Sequence, residues 1–333
     1  MVQELIDILK ILIFPGFFFF SLLGLFFEWI DRKFYAKLQN RVGPLYTGPS
    51  GLFQPFADFV KLMAKEDIVP EGADKPIFSA IPVFALALSL FGVLFLPVYG
   101  VRGIVSFEGD IIVLMAIMTI FVMLVFLAGF TSASRYSEVG AERSILQLLG
   151  YEIPLVASVL GTAAITASMG GSLSISGIVQ AQSNWWGILG IQALGFAIFI
   201  LAAQAELERV PFDIPEAETE IVAGWLTEFS GKKLALIRLA RDIELAFLCG
   251  LAATVFLGGP QPILLSGIPG VILGTVLFLV KSIVVLLILT TVRAAMARLR
   301  IDQMVNFAWK YLVPLSVLQL FLAVIIPHVT TVL

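Results

Sequence analysis

The chain has 333 residues, of which 59% are hydrophobic, with 28 phenylalanines and a mean hydropathy of +1.00. A soluble core of this size cannot hide that much apolar surface, so lipid is the expected solvent for most of it. The 24 acids and 21 bases, net charge −3, build no basic field for nucleic acid, and one cysteine (Cys249) with one histidine (His328) argues against a disulfide, a thiolate metal cluster, a zinc site or a histidine triad.

The N-terminal MVQELIDILKILIFPGFFFF carries early acids and an apolar run too long for a signal peptide, so it reads as a retained first span. Crossing a bilayer takes roughly 20 apolar residues. Eight stretches qualify, at about 5–29, 77–99, 110–131, 145–168, 187–206, 237–258, 270–292 and 309–330. The expected fold is all-α, a single transmembrane domain over 1–333. Bases sort between its two sides. Connections one, three, five and seven hold Arg32, Lys33, Lys37, Arg41, Lys61, Lys65 and Lys75, then Arg135 and Arg143, then Arg209, Lys232, Lys233, Arg238 and Arg241, then Arg293, Arg298, Arg300 and Lys310. Arg102 stands almost alone opposite. The positive-inside rule then puts those connections in the cytoplasm and both termini outside the plasma membrane.

Two cytoplasmic connections are long, 31–76 and 207–236. In the first, Ser50 is positioned to cap a helix with Leu52, Phe56, Phe59, Val60 and Met63 on one face and Asp58, Lys61 and Lys65 on the other. This predicts an amphipathic helix along the membrane surface, which can also pack on the protein's own loops. The Gly-Pro pairs of NRVGPLYTGP are turn punctuation, and neither they nor MGGSLSISG at 169–177 has the spacing of a phosphate loop.

Charges inside spans cost about 2.5–3.5 kcal/mol each, so they must face protein, water or a partner. Arg143, Gln147 and Tyr151 follow one another at helical spacing, with Glu152 roughly two turns into the membrane, where burial favours its protonated form. Glu138 and Glu142 with Arg135 and Arg143 read as an ion-pair network at the membrane edge, as do Asp242 and Glu244 with Arg238 and Arg241. Glu244 is also a candidate for more. Lys281, near the middle of a span, is expected to meet a carboxylate from another helix or subunit.

The segment from Glu206 to Glu228 holds seven acids, Glu206, Glu208, Asp213, Glu216, Glu218, Glu220 and Glu228, against Arg209 alone. Pro211 and Pro215 interrupt helix, while Val210, Phe212, Ile214 and Ile221 alternate with the acids, so the segment is expected to fold back on protein. Glu216 and Glu220 are expected to share a helical face. Clustered carboxylates spread one another's proton affinities and can exchange protons near neutral pH; an acidic docking face is the plainer alternative.

QNRVGP (39–44), GLFQPFADFVKLMAKED (51–67), the Arg143, Gln147, Tyr151 and Glu152 set, and AELERVPFDIPEAETEIVAGWLTEFS (205–230) together resemble the membrane subunit known as H, or 1, of respiratory complex I and of energy-converting membrane-bound hydrogenases. The resemblance spans nearly the whole chain. It implies a membrane subunit without catalytic centre, metal or cofactor of its own. Its implied partners are hydrophilic iron–sulfur and hydrogenase-like subunits on the cytoplasmic side and antiporter-like membrane subunits. The implied proton or ion pathway is Glu152, Glu206, Asp213, Glu216, Glu218, Glu220 and Glu228, with Arg143 and Arg209 as pairing bases. Two departures, LYTGP where quinone-reducing members usually repeat RVGP and LARD (239–242) where they usually read MAEY, weaken the case for quinone. They make the chain look closer to archaeal membrane-bound hydrogenases and sulfane reductases. A quinone-binding subunit and a stand-alone cation transporter are the alternatives.

Overall fold

The computed structural model of the chain describes residues 2–168, 172–182, 190, 192–262 and 267–332, with side chains described between 4 and 325. The side chain of His328 and part of the 169–177 motif lie outside that set. The described residues are helical with no strand. The helices are α1 (Val2–Leu12), α2 (Phe17–Leu38), α3 (Gln54–Met63), α4 (Lys75–Val93), α5 (Asp110–Thr131), α6 (Arg135–Ser168), α7 (Ile175–Ala181), α8 (Gln192–Glu206), α9 (Glu218–Ile221), α10 (Gly231–Leu257), α11 (Ile268–Ala295), α12 (Ile301–Phe307) and α13 (Val313–Val332).

Six helical stretches among the described residues are long and apolar enough to cross a membrane: 4–38, 75–93, 110–131, 135–168, 268–295 and 301–325. The other two expected spans are 187–206, of which the structure describes 190 and the 15 apolar residues of α8, the rest lying outside the described residues, and α10, whose first half carries Lys232, Lys233, Arg238, Arg241, Asp242 and Glu244. α10 is the axis of the bundle. From Ile243 to Phe256 it is buried without interruption, packed on α2, α4 and α11. α6 forms a second axis against α5, α8 and α13. A helix buried on all sides tolerates charge only where neighbours supply partners, and α10 places its charges where the long loops fold over it.

Several expectations need correction. Ser50 caps nothing. It sits in a left-handed turn (φ 56°), its carbonyl accepts from Trp29 Nε1 at 3.2 Å, and α3 starts later, at Gln54, with Pro55 in its first turn. α3 nevertheless buries Pro55 and Leu62 against the protein and leaves Phe56 and Val60 exposed, as is Phe53 just before it. Among the described residues no ion pair joins Glu138 or Glu142 to an arginine, because Arg143 turns to Glu220 at 2.6 Å instead. Lys281 is expected to meet a carboxylate from another helix or subunit; within the chain its ammonium donates to the backbone carbonyls of Leu257 (2.6 Å), Gly259 (2.8 Å) and Gln261 (2.5 Å). The C-terminal end of α10 offers carbonyls that lack helical partners and the negative end of a helix dipole, which suits an ammonium.

Candidate functional site

The acidic connection begins where α8 ends. Glu208 takes a left-handed conformation (φ 50°), which stops the helix and turns its carboxylate inward, leaving the residue 8% exposed. Of the apolar residues that alternate with the acids, Phe212, Ile214 and Ile221 are buried and pin the segment to the bundle, while Val210 is half-buried. Gly224, at φ 54°, has no room for a Cβ, which would meet the Pro215 carbonyl oxygen at 1.7 Å. That close approach lets Trp225 bury itself between α5 and α6, against Gly129 and Gly140.

Three side chains converge on Glu208. Its Oε2 accepts from Arg241 Nη2 at 2.6 Å and from Trp225 Nε1 at 3.1 Å; its Oε1 accepts from Ser144 at 3.1 Å. Arg241 also donates to Glu244 Oε2 at 3.2 Å and reaches the Glu206 carbonyl at 3.4 Å. The guanidinium lies over Phe121 (5.1 Å) and Trp225 (5.6 Å), contacts that favour a cation. Glu206 is fully buried, with no donor among the described residues in full hydrogen-bond geometry to either carboxylate oxygen; the Tyr151 hydroxyl is the donor that faces it, and Glu244 and Glu152 are further neighbours. Such a group must be neutral or hydrated. Gln147 Nε2 donates to the Ala205 carbonyl at 2.7 Å and so holds the end of α8 against α6. Glu152 accepts from Thr119 at 2.5 Å and keeps a second buried oxygen that accepts no hydrogen bond from the described residues.

A cavity of about 460 Å³ opens beside this cluster. Its wall carries Glu208, Asp213, Glu216, Glu218 and Arg241, together with Glu28, Arg32, Asp58, Arg209, Arg238, Asp242 and Arg293, so more than half of its lining residues are charged. Burial pushes the Glu216 carboxyl up to about 8, Glu208 adding to the shift and Arg241 opposing it. Burial likewise pushes Asp213 up to about 6, against the pull of Arg298. These two groups straddle neutral pH.

The expected pathway residues thus separate. Glu152, Glu206 and Glu244 lie within the bundle, and Asp213, Glu216 and Glu218 line the cavity. Glu220 does not line it; Arg143 hydrogen-bonds its carboxylate and holds it below the usual range. Glu228 stands outside the lining as well. Glu216 and Glu220 do not share a helical face, because α9 spans only Glu218–Ile221 and Pro215 breaks the helix before it. Arg209 pairs with Asp31 at 3.1 Å and Glu28 at 3.3 Å rather than with the acidic connection. Asp242 and Arg238 face the cavity instead of forming an edge network.

Asp31, the central place of Glu208 and the bridging position of Arg241 were not singled out by sequence reasoning. Asp31 is fully buried and accepts from Thr290 (2.6 Å) and Arg293 (2.7 Å) on α11, yet in sequence it sits among bases at the end of a span and resembles loop. Glu208 is one acid among seven, and only its backbone conformation distinguishes it. Arg241 stands out only as a departure from the usual pattern.

A family model described as NADH dehydrogenase matches residues 9–324. The H subunit of an NADH-quinone oxidoreductase in Dehalococcoides mccartyi is 40% identical, over 89% of this chain and 80% of its own length. Its namesake in Brevibacillus brevis is 38% identical, over 90% and 87%. The H subunit of the F(420)H(2) dehydrogenase of Methanosarcina mazei is 36% identical, over 90% and 88%. With matches running nearly end to end, and an acidic connection folded over buried carboxylates, the chain belongs to the family of the H, or 1, subunit of complex I-like membrane complexes.

Proposed function

We propose that this chain couples electron transfer in a peripheral iron–sulfur arm to proton or sodium translocation, while holding no catalytic centre or redox cofactor itself. The arm, with its hydrogenase-like subunits, docks on the two long connections from the cytoplasmic side of the plasma membrane. Antiporter-like subunits adjoin the membrane face, and both termini are outside; the sorting of bases supports that orientation. One observation carries the reading. Titratable carboxylates run from the charged cavity (Asp213, Glu216, Glu218) through Glu208 and Arg241 to Glu206 and Glu244, which are buried, and to Glu152, which is half-buried.

A redox change above the cavity alters the charge felt by Asp213 and Glu216. Once one carboxylate of the cluster changes its protonation, a neighbour roughly 5 Å away at an effective dielectric near 20 feels roughly 3 kcal/mol, about two units of proton affinity. That is enough to move a proton between groups titrating near 6 and 8. The test is Glu206→Gln and Glu152→Gln in the assembled complex. Electron transfer and assembly are retained and ion pumping falls; undiminished pumping in both variants refutes the coupling role.

For the terminal acceptor, the charged wall of the cavity supports a complex of the membrane-bound hydrogenase or sulfane reductase type, since a quinone ring and tail favour an apolar slot. The names of the relatives favour a second reading, a quinone-binding subunit. Quinone extracted with the purified complex, or reduced by it, decides for the second.

A further inference from the structure

Arg241 divides the carboxylates into two groups. It lines the cavity together with Glu208 and Glu216, whereas Glu206 and Glu244 are not among the lining residues. Glu244 instead faces a small apolar pocket beside Leu88, Ile117 and Phe247. Arg241 bridges the two groups, bonded to Glu208 on the cavity side and to Glu244 and the Glu206 carbonyl on the interior side, so the hydrogen-bonded route from the cavity to Glu206 and Glu244 runs past the guanidinium. That guanidinium is clamped from both sides, at 2.6 Å by Glu208 and 3.2 Å by Glu244, and sandwiched near Phe121 and Trp225. Swinging it aside would strand two buried carboxylates without their cation.

A proton and a sodium ion make different demands at such a point. A proton needs one lone pair and travels as the O–H of a neutral acid, so it brings no lasting charge beside the arginine. Sodium keeps its full charge throughout, needs a shell of several oxygens, and meets at the cavity's inner wall a fixed cation, an electrostatic barrier that a proton handed between the carboxylates bonded to Arg241 does not face as a free ion. At the guanidinium itself the carboxylate oxygens already accept hydrogen bonds, Glu208 Oε2 from Arg241 and Trp225, Glu208 Oε1 from Ser144 and Glu244 Oε2 from Arg241, so the unbonded oxygens of Glu206 can be reached by sodium only if these contacts are broken first.

From this geometry we infer that Arg241 is an ion-selectivity residue, admitting protons to Glu206 and Glu244 and excluding sodium from them. The inference rests on the carboxylate route proposed above and adds what that route accepts. It is tested in the assembled complex with a hydrophobic carbodiimide, which modifies protonated buried carboxyls, and mass spectrometry of Glu206 and Glu244. Labelling is run in sodium chloride and in equal choline chloride. In the wild type the two rates are the same. In Arg241→Gln sodium reaches the carboxylates, displaces the proton and slows labelling by about tenfold, a change of about 1.4 kcal/mol. Arg241→Lys, which keeps the charge, behaves as the wild type. Sodium protection in the wild type overturns the inference, and so does sodium-insensitive labelling in Arg241→Gln. Should Arg241→Gln fail to assemble, Glu208→Gln with Arg241→Gln removes the charge pair together and is labelled instead, with the same two outcomes. Failure of the coupling role reads out separately, as undiminished pumping in Glu206→Gln and Glu152→Gln with the labelling pattern unchanged.

Discussion

Replacing Asp31 with alanine removes a fully buried carboxylate and strands two arginines. In the folded chain its Oδ2 accepts from Arg293 at 2.7 Å and pairs with Arg209 at 3.1 Å, while Oδ1 accepts from Thr290 at 2.6 Å. Hydrogen bonds to charged groups contribute about 1.5–3 kcal/mol each, so the two arginine contacts account for about 3–6 kcal/mol. Arg209 and Arg293 stay 17% and 29% exposed, and water recovers part of that; the expected loss is about 3 kcal/mol. With an unfolding entropy near 2.1 cal/mol/K per residue, a chain of 333 residues has about 0.7 kcal/mol/K, so the midpoint falls by about 4 °C. Cys249, fully buried and the chain's single cysteine, reports this directly. Its alkylation in the heated complex, resolved by mass spectrometry, gives the midpoint. Asp31→Asn, which keeps the Thr290 contact but not the charge, falls between wild type and alanine. A shift below about 1 °C for Asp31→Ala refutes the view that this ion cluster ties α2, α11 and the acidic connection together.

The carboxyl of Glu216, pushed up to about 8 from an ordinary 4.5 by burial, stays protonated in the fold at pH 7 while an unfolded glutamate is ionised. Its contribution to stability is therefore fullest below about pH 4.5 and declines as pH rises through 8; Glu216→Gln flattens that slope, and an unchanged slope in midpoints taken across pH contradicts the assignment. Trp225→Phe removes the 3.1 Å donor to Glu208 and lowers stability by about 1–3 kcal/mol, a loss the same alkylation midpoint detects or excludes. Arg143→Ala breaks a pair whose Glu220 side chain is 50% exposed, so stability changes by less than about 1 kcal/mol; a larger drop would mean the pair anchors the connection. Lys281→Met uncovers the carbonyls of Leu257, Gly259 and Gln261, and hydrogen exchange around residues 257–262 accelerates. Exchange at the wild-type rate would show that the lysine does not hold that helix end.

The sequence by itself determined the solvent and the class. Apolar runs of bilayer length can be buried only in lipid and satisfy their backbone only as helices, so the all-α membrane fold was legible throughout. It also determined that the acidic connection folds inward, because Phe212, Ile214 and Ile221 alternate with the acids and must be buried. Tertiary structure alone decided the pairing. Arg143 met Glu220 rather than its helical neighbours, Arg209 met Asp31 on the distant α2 in a pair 3.1 Å apart, and Arg241 came to stand between cavity and interior. A charge's partner is set by Coulomb attraction over a few ångströms in space, and distance along the chain carries no information about that spacing once the helices have packed.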